Sequence, residues 1–133
     1  MDIREFYAET GKLLYAVAEV DGVITKREKQ SLHKLIQNRL AHRETHTDEY
    51  GTNDAWYTAF EFEVAEEQGM TSEDAFNSFV DFIQDNRNKL DRDLKDIGFI
   101  LAERLAESYH QTNKKELELI QKLKEILYSL QPD

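Results

Sequence analysis

The chain has 133 residues, enough for one domain with its own core and too few to require a second. Its 27 acidic residues outnumber 17 basic ones, and the resulting net charge of −10 repels phosphate backbones, which argues against nucleic acid and in favour of cations or basic proteins as partners. With no cysteine there can be no disulfide framework, thiolate metal site or thiol nucleophile.

The N-terminus, MDIREFYAET, carries acid at once, and no later segment approaches the roughly 18 consecutive apolar residues of a membrane span. The expectation is a soluble cytoplasmic protein without membrane insertion. One proline, at Pro132, and five glycines leave few breaks, and alternating β-branched runs are scarce, so helix is expected throughout.

In the first helix, Ile3, Phe6, Leu13, Val17 and Val20 recur at helical steps and line one face. Asp21-Gly22 ends it, because Gly22 can adopt φ > 0 without a Cβ clash. Thr25 and Glu28 then stand at capping-box spacing and start a second helix, which buries Ile24, Leu32, Leu35 and Ile36 and reaches Leu40. The same segment also has half of a calcium loop. With Gly22 as its invariant glycine, Glu19 and Asp21 fall on earlier ligand positions and Glu28 on the bidentate twelfth, but the first position is Val17. A turn with a capping box accounts for these residues without a metal; a looser acidic site for a divalent cation at Glu19, Asp21 and Glu28 is the alternative.

The run A-x-x-D-G-x-I-x-x-x-E, here Ala18 to Glu28, resembles the tellurite-resistance TerB-like family, which includes the N-terminal region of a membrane-anchored DnaJ-type co-chaperone. The resemblance implies an all-helical domain of pseudo-repeated helical hairpins, acidic residues near the Asp-Gly turn that bind metal, and a place in a stress-response assembly. It covers only a small part of the chain.

The polar interval 41–53 lacks an apolar stripe and reads as a loop. A third helix is expected over Asp54 to Gln68 with Trp56, Tyr57, Phe60 and Val64 inward, ended by Gly69; Phe62 lies about 200° from Phe60, so the aromatics cannot all face one core. Core packing is the plainer reading of this aromatic patch, and a partner groove or homodimer contact the other. Thr71 and Ser72 cap a fourth helix carrying Phe76, Phe79, Val80 and Ile83, and 85–89 connects it to the fifth. The fifth, from about Leu90, aligns Leu94, Ile97, Leu101 and Leu105. Gly98 within it reflects either close helix approach or tolerance. The sixth, about Lys114 to Leu130, buries Leu117, Ile120, Leu123 and Leu127.

Sliding the chain onto itself pairs Leu13 with Leu101, Ala18 with Ala106, Glu19 with Glu107, Glu28 with Glu116 and Leu35 with Leu123, and Asn113 with Glu116 renews the capping box. Asp21-Gly22, however, becomes Tyr109-His110, so the acidic turn is not repeated. The expected fold is all-α: one domain over 1–133, a bundle of about six helices with N- and C-terminal hairpins in a pseudo-repeat, or two amphipathic hairpins made similar by patterning alone.

His42 and His46, four apart, would share a face if the second helix extended that far, with Asp48 or Glu49 nearby, but the order departs from H-E-x-x-H and no third ligand is evident; a solvated loop is the plainer reading and a metal-dependent enzyme the rival. Glu61, Glu63, Glu66, Glu67, Glu73 and Asp74 read as solvated helix faces rather than acid/base pairs. With no G-x-S-x-G, P-loop or dinucleotide motif, the expected function is non-enzymatic: a helical module that binds a protein partner and a divalent cation, with a structural or dimerisation domain as the further alternative.

Overall fold

A computed structural model describes residues 1–20, 22, 24–40, 54–108 and 114–130. These form six α-helices: α1 (Ile3–Glu19), α2 (Lys26–Leu40), α3 (Asp54–Gln68), α4 (Ser72–Asp85), α5 (Arg92–Ser108) and α6 (Lys114–Tyr128). The all-helical bundle expected from periodicity is present. Among the described residues no helix is long and apolar enough to cross a membrane.

Side-chain caps set most starts. Asp2 accepts from the Arg4 N–H at 2.9 Å for α1, Thr25 from the Glu28 N–H at 3.1 Å for α2, Thr71 from the Asp74 N–H at 3.0 Å for α4 and Asp91 from the Leu94 N–H at 2.9 Å for α5. Gly22 (φ 88°) and Gly69 (φ 67°) sit in the left-handed region just past α1 and α3, where the open space around each shows that conformation, not crowding, requires glycine.

α1 is the axis of the bundle. It packs on α3, α4 and α5 and touches α6, and Phe6, Tyr7, Leu13, Leu14, Tyr15, Ala16, Val17 and Ala18 are all buried, so core surrounds most of its circumference rather than one stripe. Three hydrogen bonds tie neighbouring segments to its buried backbone or side chains. Thr58 Oγ1 donates to the Tyr7 carbonyl at 3.0 Å, Ser72 Oγ to the Ala16 carbonyl at 2.7 Å, and Tyr15 OH to the Met70 carbonyl at 2.8 Å.

One helix presents a different face from the one expected, and another departs from expectation at a single position. On α3, Trp56 is 50% and Phe60 46% exposed, Tyr57 and Val64 are half-buried, and Thr58, Phe62 and Ala65 form the inward line. Gly11 explains the choice. A Cβ there would overlap the Thr58 carbonyl oxygen and lie 3.1 Å from the Phe62 nitrogen, so α3 lies almost backbone to backbone on α1 and presents its small and flat side. On α6, Ile120, Leu123 and Leu127 face inward as expected, but Leu117 is 58% exposed and Glu116 is buried in its place at the start of the seam.

The shift that pairs Leu13 with Leu101 carries α2 onto α6 over its full length and α1 onto α5 to within one residue. Leu13, Leu101, Ala18, Ala106 and Leu123 are buried, whereas Leu35 is partly so. The hairpins differ in packing: α6 lies on its own partner α5, whereas α2 also lies on α5, and on α3. Gly98 proves to be a case of tolerance, since an added Cβ would meet Phe79 Cζ at 3.6 Å and Phe6 Cζ at 3.9 Å, ordinary contact distances.

The Tyr128 hydroxyl joins α6 to α5 by donating to Asp96 Oδ1 at 2.5 Å, and burial, reinforced by that bond, pushes its pKa up to about 12. Because this folded-state value lies above the ordinary tyrosine value near 10, the favourable contribution is complete below about pH 10 and is lost as pH rises toward 12. A phenolate absorbance titration should contain a component that ionises near pH 12, and Tyr128→Phe should delete it.

Candidate functional site at the α1–α2 corner

The corner is built by local chemistry. α1 ends at Glu19, whose carbonyl accepts the Gly22 N–H at 2.7 Å, closing a tight turn that only the left-handed glycine completes. Thr25 then restarts the chain: its hydroxyl takes the Glu28 N–H and its carbonyl takes the Lys29 N–H at 3.1 Å. The forward half of the capping box is therefore in place. Ile24 packs against the core between the two helices.

Of the three predicted ligands, Glu19 is half-buried at the last position of α1, and Glu28 is half-buried in the first turn of α2 with its Oε2 shut off from solvent. Asp21 lies outside the described residues, as do His42 and His46, the polar interval 41–53, Tyr109-His110 and Asn113. Glu116, which the shift of Leu13 onto Leu101 pairs with Glu28, also has an Oε2 enclosed from solvent. Among the described residues no three carboxylate or imidazole groups converge closely enough to hold a metal ion, so a site at Glu19 and Glu28 depends on Asp21 as its third ligand.

The neighbourhood includes one acidic residue that the sequence left among solvated faces. Tyr15, one turn before Glu19, has its pKa raised first by burial and then by the charges of Glu19 and Glu66, so both carboxylates act on the same hydroxyl. Glu66 sits in the last turn of α3, where no basic residue opposes the negative helix end, and the Lys29 ammonium of α2 pairs with it. That pair raises the Lys29 pKa, with partial burial working against it. Two adjacent glutamates at an uncompensated helix C-terminus were the available signal that a cation must come from elsewhere in the fold.

At this corner Glu19 and Glu66 both act on Tyr15, Lys29 reaches Glu66 from α2, and Glu28 stands next to Lys29 in the first turn of that helix. These carboxylates are oxygen donors of the kind hard divalent cations take. Compared with known proteins, the chain matches no family model, and no curated protein or solved structure shows significant similarity to it.

Proposed function

We propose that this chain is a non-enzymatic, TerB-like helical binding module of the cytoplasm that serves a stress-response assembly, engaging a protein partner and holding a divalent cation at Glu19, Asp21 and Glu28. The observation that supports the cation half most directly is the Gly22 corner. It sets a half-buried glutamate at the end of one helix and another at the start of the next, with the Asp-Gly pair between them. A net charge of −10 adds a long-range attraction for cations. Glu66 is held by Lys29 and is therefore not counted as a ligand. The partner half is supported by two aromatic side chains left half exposed on α3.

Isothermal calorimetry with calcium, magnesium, manganese and zinc tests the cation half. One of these should give a saturable single-site heat that Asp21→Ala abolishes and Glu28→Gln weakens by about tenfold or more, the loss expected for one charged oxygen ligand. Heats identical in wild type and Asp21→Ala would reject the site.

A further inference from the structure

The side of α3 directly opposite the core carries Trp56, Phe60, Glu63 and Glu67 in one line. Their steps of four, three and four keep them within about 60° of one another at about 100° per residue, the spacing of a coiled-coil seam. Trp56 and Phe60 are 50% and 46% exposed, and the Glu63 side chain is 46% exposed. The two rings are already stacked, with centroids 4.7 Å apart and planes 9° from parallel, and Trp56 also meets Tyr57 edge-on at 5.3 Å. Such pre-ordered, amphipathic rings lose little entropy on binding and are typical anchors of interfaces.

The second half of the line is acidic, at a helix end that disfavours acid. Lys29 is committed to Glu66, and Glu63 lies 3.8 Å from the exposed His33 imidazole. Glu67, exposed, makes no ion pair among the described residues. The face is therefore apolar in its first half and negative in its second.

We infer that this face receives a basic amphipathic helix of another protein, with apolar side chains on Trp56 and Phe60 and lysine or arginine against Glu63 and Glu67. Charge decides against a second copy of this chain as the occupant. A parallel pairing of two α3 helices sets Glu63 and Glu67 on their own images, and an antiparallel pairing sets those carboxylates on the Trp56 and Phe60 rings. Both cover acid without supplying a cation. A basic helix instead places cations against the carboxylates, and an arginine can additionally lie over the indole. The inference rests on the reading of the chain as a binding module and specifies its partner; the cation half stands or falls separately, by calorimetry on Asp21→Ala.

Trp56 is the only tryptophan, so its fluorescence reports directly on this face. The full chain is titrated with a synthetic three-turn helical peptide that carries leucines on one half of its seam and arginines on the other, and with a second peptide in which glutamates replace the arginines. The basic peptide should shift Trp56 emission to the blue with saturation, and raising salt from about 0.05 to 0.3 M should weaken binding severalfold. With a labelled peptide read by anisotropy, Phe60→Ala and the double variant Glu63→Gln/Glu67→Gln should each weaken binding by about tenfold. The double variant should also lose most of the salt dependence, a change that loss of folding would not produce. Circular dichroism checks both variants. The inference is overturned if the basic peptide does not bind, if the acidic peptide binds equally well, or if binding is indifferent to both variants. It is also overturned in favour of a second copy if Trp56 emission shifts with protein concentration alone and light scattering shows a dimer that Phe60→Ala abolishes.

Discussion

Gly11→Ala should destabilise the protein by about 2–3 kcal/mol, lowering Tm by roughly 6–12 °C, because the new methyl has nowhere to go. The atoms it meets are the Thr58 carbonyl oxygen and the Phe62 nitrogen, both backbone, together with Glu61 Cβ at 3.1 Å. No rotamer change relieves that overlap; α3 as a whole must move off α1. Such a shift lengthens the Thr58-to-Tyr7 hydrogen bond, which stands at 3.0 Å, and opens the packing around Phe62. Alanine's helix propensity would by itself favour the substitution by about 1 kcal/mol, so steric cost has to exceed that gain before any loss appears. Gly98→Ala supplies the contrast on α5. There the same propensity gain is opposed only by aromatic side-chain atoms at 3.6 and 3.9 Å, and thermal unfolding should show an unchanged or slightly raised Tm. Equal behaviour of the two variants would mean that α1 and α3 are not in backbone contact.

That pair of glycines also shows where reading the chain succeeds and where it stops. Helix ends were legible because they are local chemistry: Gly22 and Gly69 need φ > 0, and Thr25 and Thr71 stand three residues before the N–H they accept, so the bounds of α2, α3 and α4 follow from a few neighbouring residues. Helix faces were legible only where apolar residues form a single stripe, as on α4 with Phe76, Phe79 and Ile83. On α3 aromatic and aliphatic residues occur all round the helix, so periodicity carries no direction, and the inward side was chosen by Gly11 on a different helix. On α6 the leading seam position is filled by Glu116 beside Leu117, and a hydrophobicity pattern selects the leucine.

The same division runs through the candidate site. Glu19 and Glu28 could be found from the Asp-Gly turn and the capping spacing, which lie within one short segment. Glu66 could not, because its place at the corner is set by α3 lying on α1 and by Lys29 reaching it from α2. The line of Trp56, Phe60, Glu63 and Glu67 was likewise hidden until the orientation of α3 was known, since its four members are separable from the core only by exposure.

The orientation of α3 leads to the second large effect. Phe62→Ala should cost about 3–5 kcal/mol, the range for deleting a fully enclosed ring, and Phe60→Ala no more than about 0.5–1 kcal/mol, although the two residues are chemically identical and two positions apart. Phe62 is 1% exposed, packs edge-on against Tyr15 with centroids 5.7 Å apart, and sits where α3 crosses Gly11. Its removal leaves a cavity between two helices whose backbones are already in contact and cannot close further, so relaxation recovers little of the loss. It also withdraws the ring packed edge-on against Tyr15, whose hydroxyl bond to the Met70 carbonyl holds the α3–α4 turn to α1. Phe60 is half exposed and its main contact is the stack on Trp56, which is itself half exposed, so truncation changes little that water does not already reach. Urea unfolding of the two variants, compared at equal m-value, measures the difference. A larger loss for Phe60→Ala than for Phe62→Ala would mean that α3 is turned by about half a revolution, with the aromatic pair in the core after all. The exposed face that carries the inferred docking site would then not exist.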